Sequence, residues 1–576
     1  MATQPVPRSL LHGLLLVLGL VVAPHAANLN PWILGFFYAA LAWRALAQAR
    51  PATLPGRWLL LLLMAAAAAL VVFTSDLRDG RLAGTGLLVV MLGLKLLESR
   101  ARRDVHIALY LGYFVALTQF LYDQSLGLAL YLFAGVAALL TLQIALNRVT
   151  VEWRRQAWHM AALLGAAVPL ALVVFVLFPR LPTPLWGIQT QSAVSGISDE
   201  MTLGNIGRLS RSSATAFRVQ FFGDAPPPQA RYWRGPVLWY TDGRRWTAGR
   251  HLVRAFEPPT PGLPAVEYEV TLEPTGEFWL FGLDVVSRRP AGGLLNSNYS
   301  LVGQQRVHRR LSYSAASDPD YVIGEISARE RDLGLQLPLQ VSERVEGLVR
   351  EWQRQTAGNP DPFALIDRAL AYFGEQPFVY TLNPGTLEND AIDRFLFETR
   401  RGFCEHYAGS FALLMRLAGI PSRVVIGYQG GERNPHADHW VVRQSDAHAW
   451  VEVWVDGVGW SRVDPTAAVA PERVEQPIDA SLSEDSGRVV FNTGDFGLLR
   501  SAWLNAVWMA DAVELGWHRW VVGFTTDRQS SLLSALGLGS LQGYWLSISL
   551  VIGGGVATAF VYLLAKLPRP RRHDPL

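Results

Sequence analysis

Residues 400–428 read RRGFCEHYAGSFALLMRLAGIPSRVVIGY, and residues 446–466 read DAHAWVEVWVDGVGWSRVDPT. The first stretch carries apolar residues at helical spacing from Cys404 onward and stops at Gly419, with Pro421 two residues on. That start and stop predict a helix beginning at the cysteine. Beyond Pro421 the pattern alternates: RVVIGYQ, HWVVR, AWVEVWV and WSRVDP predict strands. Upstream, LQVSERVEGLVREWQRQ, DPFALIDRALAYFGEQ and DAIDRFLFE predict helices, the second opened by Asp361 as N-cap with Pro362 at the first helical position. Helices followed by antiparallel strands predict an α+β domain over 336–470, with the cysteine helix packed on the sheet.

Cys404 is the only cysteine among 576 residues, which excludes an intrachain disulfide and any multi-cysteine metal cluster. The thiol is then either a core filler or a nucleophile. An unperturbed thiol titrates near ~8.5, so a nucleophile needs a helix N-terminus or a neighbouring imidazole. The predicted helix start supplies the first, and its backbone N–H groups are candidate oxyanion donors. His448, at the start of the most strongly alternating strand, is the candidate base. Asp464, 16 residues later on a neighbouring strand, is the candidate orienting group. His406 lies two residues along the cysteine's own helix and faces elsewhere, in a structural or substrate-facing role. His436 and His439 belong to the turn GGERNPHAD or its edge. With Asp438 they make a small polar cluster, in a Gly/Asn/Pro turn of the kind that shapes a cleft. No cofactor or metal is expected, and no acidic loop suited to calcium is present.

Outward from this core the chain changes character twice. Residues 180–335 hold short β-branched and aromatic runs such as TAFRVQFF, RYWRGPVLWYTDGRRWTA, VEYEVTLEP, EFWLFGL and NYSLVG, with Asp242-Gly243 as a tight hairpin turn. They predict a small antiparallel β domain whose Trp and Tyr residues pack as core. Residues 1–179 hold about seven apolar segments, near 10–27, 31–48, 57–74, 84–98, 106–122, 126–146 and 158–178, and a last one lies near 543–566. Between core and last span, 471–542 predicts a linker and a tryptophan-rich juxtamembrane helix, for which interfacial anchoring and packing on the catalytic domain are equally good explanations. The arginine-rich loops around 44–57, 100–103 and 148–155, and the basic tail 567–576, belong on the cytoplasmic side, which places 180–542 outside the cytoplasm.

The charge balance of 51 basic and 48 acidic residues gives +3 and excludes an electrostatic case for nucleic-acid binding. Only Lys95 and Lys566 are lysines, so the exported segment contains none. Arginine-biased composition explains this, and so does avoidance of self-modification by an enzyme that uses lysine amines.

The words around Cys404, HAW and GW…DPT closely resemble the transglutaminase-like superfamily, over about residues 340–470, and the wider layout resembles its bacterial membrane-anchored members. The resemblance implies a papain-like Cys-His-Asp triad of Cys404, His448 and Asp464. It also implies a protein or peptide substrate in the periplasm or cell wall, with the catalytic domain held at the inner membrane by a multi-pass anchor in the lipid bilayer. It establishes covalent acyl chemistry more firmly than the acceptor. A protein-glutamine gamma-glutamyltransferase is the first expectation, a cysteine peptidase, amidase or deamidase on envelope peptides the second, and a degenerate binding or scaffold protein the third.

Overall fold

The computed structural model describes residues 7–50, 53–74, 80–147, 153–177, 197–203, 206–249, 255–256, 265–318, 320–356, 361–385, 390–475, 498–524, 526–535, 537 and 554. The expected last span at 543–566, the basic tail and most of the linker lie outside them. The chain divides into two compact units, residues 1–188 with 513–576, and residues 189–512.

In the first unit, helices Arg8–Val22, Pro31–Leu46, Arg57–Thr74, Gly80–Glu98, Arg102–Thr118, Leu126–Asn147 and Trp153–Leu177 coincide with the seven apolar segments. Five helical stretches are long and apolar enough to cross a membrane by length and composition: Arg8–Ala27, Arg57–Thr74, Gly80–Glu98, Arg102–Leu121 and Leu126–Leu146. Leu18, Phe37, Val89, Leu96, Leu109 and Leu139 are buried between helices, whereas Trp58, Phe73 and Phe133 are exposed. An apolar exterior around an apolar interior is the distribution a lipid solvent permits and water does not.

The second unit is built on two antiparallel sheets. The first has five strands in the order Gly459–Val463, Ala447–Val455, Ser422–Gln429, Tyr232–Leu238, Gly282–Leu283. The second has six, in the order Glu432–Arg433, Trp440–Arg443, Thr215–Phe221, Val266–Leu272, Leu311–Ser317, Val286–Arg288. The expected β-rich region and catalytic core therefore exchange strands. Tyr232–Leu238 pairs with Ser422–Gln429 in the first sheet, and Trp440–Arg443 pairs with Thr215–Phe221 in the second. Local alternation shows that a segment is a strand but not which distant segment it pairs with, so a separate small β domain is what the sequence alone suggests. One hydrophobic core runs through both regions, with Trp233, Trp239, Trp246 and Trp450 wholly buried. The hairpin at Asp242-Gly243 forms as expected, Gly243 at φ +95° and Asp242 Oδ1 accepting from Arg244 N–H at 2.8 Å.

Helix Pro362–Glu375 starts where its cap predicted, Asp361 accepting from Phe363 N–H, and helix Glu343–Gln355 is capped by Ser342, which accepts from Val345 N–H. The helix Cys404–Leu417 is buried nearly all round, since it packs on both Ser422–Gln429 and Ala447–Val455 and lies under the other two helices. Glu452 ties the central strands together. It accepts from Arg423 Nε at 2.7 Å and from Arg234 Nη2 at 2.9 Å, all three side chains being buried. Burial works to raise its carboxyl, but the two guanidiniums win and hold it at about 2.

Gly427 sits opposite His448 in the sheet register, beside a bulge in the pairing with Tyr232–Leu238. A Cβ there would lie 2.0 Å from the Trp233 carbonyl oxygen and 2.9 Å from Trp450 Cη2. A backbone oxygen cannot swing aside, so Gly427→Ala is expected to destabilise the unit by about 1–3 kcal/mol. Chemical denaturation compared with wild type measures it, and a variant of unchanged stability would show that the strands separate freely at this point.

Candidate active site

Three elements converge at one end of the five-stranded sheet. Phe403 is extended (φ −114°, ψ 177°) and Cys404 begins the helix; His406 N–H donates to the Phe403 carbonyl at 2.8 Å, while the amides of Cys404 and Glu405 precede any helical acceptor. The N-terminus is trimmed by His406, whose Nδ1 accepts from Phe403 N–H at 3.2 Å. His406 is 1% exposed, packs against Phe395, and is lowered by burial to about 4. It is a cap, the first of the two roles, structural or substrate-facing, that the sequence left open for it.

The Cys404 side chain is fully buried, with the backbone N–H of Ala449 hydrogen-bonded toward its sulfur. This places the thiol against the residue that comes after His448. His448 Nε2 lies 2.7 Å from Asp464 Oδ2, and the same oxygen accepts from the Tyr232 hydroxyl at 2.8 Å. Asp464 Oδ1 accepts from Thr466 N–H at 3.0 Å. Burial works to raise the Asp464 carboxyl, but His448, Tyr232 and Thr466 together hold it below the usual carboxylate range. An ionised Asp464 only accepts, so His448 Nε2 is the N–H donor and Nδ1 carries the lone pair. Nδ1 is buried and has no hydrogen-bond partner among the described residues.

Burial also sets the resting charges. It lowers His448, against the pull of Asp464. It raises the Cys404 thiol, with the neighbouring Glu405 adding to the rise and Arg473 opposing it. The helix start read from the sequence does not by itself lower the thiol: desolvation outweighs the partial charge of a helix end when the sulfur is sealed from water. The closed site therefore rests as a neutral thiol and a neutral imidazole.

His436 and His439 are elsewhere. His436 is exposed. His439 Nε2 lies 2.8 Å from Asp511 Oδ2, an aspartate that also accepts from Arg218 Nε at 2.8 Å. Asp511 and the buried Trp508 belong to the helix Leu498–Trp517, whose part within the second unit packs on the catalytic sheets. Among the described residues no group of three His, Cys, Asp or Glu side chains is arranged to hold a metal. Sequence reasoning missed Tyr232, which stands in an aromatic run and carries no signal that separates it from its core-forming neighbours.

Residues 13–324 match the family described as TgpA N-terminal domain, and residues 350–465 match the transglutaminase-like superfamily. A protein-glutamine gamma-glutamyltransferase of Pseudomonas aeruginosa is 38% identical over 541 residues, which cover 92% of this chain and 80% of that one. The chain belongs to the TgpA family. The uncharacterized protein YebA of Bacillus subtilis is 34% identical over 142 residues, 23% of this chain and 19% of its own. The crystal structure of the periplasmic domain of TgpA from Pseudomonas aeruginosa is 43% identical, covering 49% of this chain and 98% of that one at a TM-score of 0.47. Membership supplies the transglutaminase-like α+β core and the apolar helical region ahead of it, both of which the fold contains.

Proposed function

We propose that this TgpA-family chain is a protein-glutamine gamma-glutamyltransferase, with Cys404 as nucleophile, His448 as base and acid, and Asp464 as the group that orients His448. The observation that carries the reading is the seating of Cys404 Sγ against the His448–Ala449 strand, with the Nε2–Asp464 bond leaving Nδ1 as the free base. His448 Nδ1 takes the thiol proton as Sγ attacks the glutamine carboxamide carbon. The oxyanion is met by first-turn amides of the cysteine helix. The C–N bond breaks and ammonia leaves with the proton from Nδ1, giving a thioester. An amine then attacks, Nδ1 takes its proton, and collapse of the intermediate forms the isopeptide bond and returns the thiol.

The catalytic unit works on the periplasmic face of the inner membrane, on protein or peptide in the envelope, and the helices of the first unit cross the bilayer repeatedly. Support comes from the apolar helices and from arginines that mark the cytoplasmic loops. The lysine-free segment 180–542 favours an acceptor amine on another molecule.

Full-length protein in detergent, given a glutamine-containing peptide and a labelled primary amine, is expected to incorporate the label and release ammonia in equal amounts. Peptide cleavage without incorporation would make it a hydrolase, and ammonia without incorporation a deamidase.

A further inference from the structure

Arg473 stands nine residues after Asp464, on the short helix Glu472–Glu475, and is 1% exposed. The acyl transfer from Cys404 does not use it. Its Nη1 donates to Gln429 Oε1 at 2.9 Å, and its Nη2 to the main-chain oxygens of Asp446 at 3.1 Å and Ala447 at 3.4 Å. Nε has no hydrogen-bond partner among the described residues. These acceptors are neutral. Among the other buried arginines of this unit, Arg234 and Arg423 share Glu452, Arg218 holds Asp511, and Arg231, which donates to the carbonyls of Pro226 and Gly431, lies over the Trp440 ring. Arg416 rests on the carbonyls of Trp239 and Ser422 near the end of its own helix, where the dipole is negative. Arg473 makes no ion pair among the described residues.

Its position is specific. Asp446 and Ala447 are the two residues before His448, and Gln429 closes the strand that carries Gly427, the register partner of His448. The guanidinium thus bridges the ends of the two paired strands just beyond the His448–Gly427 pair. The groups within its field are Cys404, His448, Tyr380, Asp446 and Tyr232. Glu405 and Asp464 act on the same sulfur with negative sign. Burial raises the Asp446 carboxyl, which weakens the counter-charge it offers Arg473. A buried cation without an anion is costly, and it favours whatever negative charge forms beside it.

We propose that Arg473 is a positioning residue of the active centre, clamping the segment ahead of His448 and acting as the buried counter-charge for the anion that develops at Cys404. The proposal rests on Cys404 being the nucleophile but not on the acceptor. Cys404 is the only thiol, so alkylation of the full-length protein in detergent by iodoacetamide reads this one sulfur without background. Arg473→Gln is expected to shift the alkylation pH profile upward by about one unit, about tenfold slower at pH 8, and to lower kcat with little change in KM. Gln429→Glu keeps an oxygen facing Nη1 but neutralises the cation, and should shift the profile the same way with the clamp intact. Arg473→Lys should recover most of the wild-type profile. Any one of these variants that folds decides the matter. An unshifted profile in Arg473→Gln or Gln429→Glu overturns the proposal, as does a uniform slowing at every pH, which reports access rather than charge. Absent amine incorporation by wild type would refute the transferase reading and leave the alkylation comparison standing.

Discussion

In a Cys404→Ala variant, amine incorporation is expected to fall by a factor on the order of 10⁴ or more while the protein stays folded. No second thiol exists to substitute, and loss of a nucleophile from a triad that works as a unit removes nearly the whole contribution of that unit. The structural loss is small by comparison. The substitution deletes one buried sulfur and the acceptor for Ala449 N–H, which costs on the order of 1–2 kcal/mol. The thermal midpoint should drop by a few degrees. Rate and midpoint measured on the same preparation separate the two effects: full residual turnover in the folded variant would refute covalent catalysis through Cys404, and collapse of the fold would return the thiol to the role of core filler. The resting site is closed, with Cys404 and His448 both wholly buried. On the proposed mechanism substrate entry opens it, and proton transfer from thiol to Nδ1 belongs to the bound complex rather than to the free enzyme.

What could be read from sequence was whatever is local. The helix start at Cys404, its stop at Gly419 in a positive-φ turn, the cap at Asp361, and the hairpin at Asp242-Gly243 are each written within a few residues, and each formed. Helix start and strand alternation made Cys404, His448 and Asp464 candidates, and the words around them, similar to the transglutaminase-like superfamily, singled them out. Strand exchange between the two sheets was not legible, because pairing partners lie about 190 residues apart, as Val425 and Val237 do. Tyr232 and Arg473 were invisible for the same reason. One is an aromatic in an aromatic run and the other an arginine among many, and only the tertiary fold brings them to the triad. The neutral thiol was not legible because a helix terminus is visible in sequence and burial of the atom beside it is not.

His448→Ala is expected to lower kcat/KM by about as much as loss of the nucleophile, and Asp464→Asn by about 10³–10⁴. The second change leaves the ring in place but puts an amide where an ionised oxygen held Nε2–H at 2.7 Å, so the proton no longer has to sit on Nε2 and Nδ1 is no longer secured as the base. The charges set the direction of the pH dependence. Burial lowers His448 from its usual value and Asp464 opposes that lowering. Wild-type kcat/KM should therefore hold below pH 6.5 and be lost only as pH falls through the lowered value, and in Asp464→Asn the residual activity should persist to still lower pH. His406→Ala removes a cap and His439→Ala a bond to Asp511, neither of which touches the triad, so both should keep the rate within about tenfold and show their effect in stability. A pH profile of each variant, taken with its unfolding curve, tests the whole set. If His439→Ala loses activity as His448→Ala does, or if the acid limb of Asp464→Asn moves upward, then His448 is not the base that Asp464 orients.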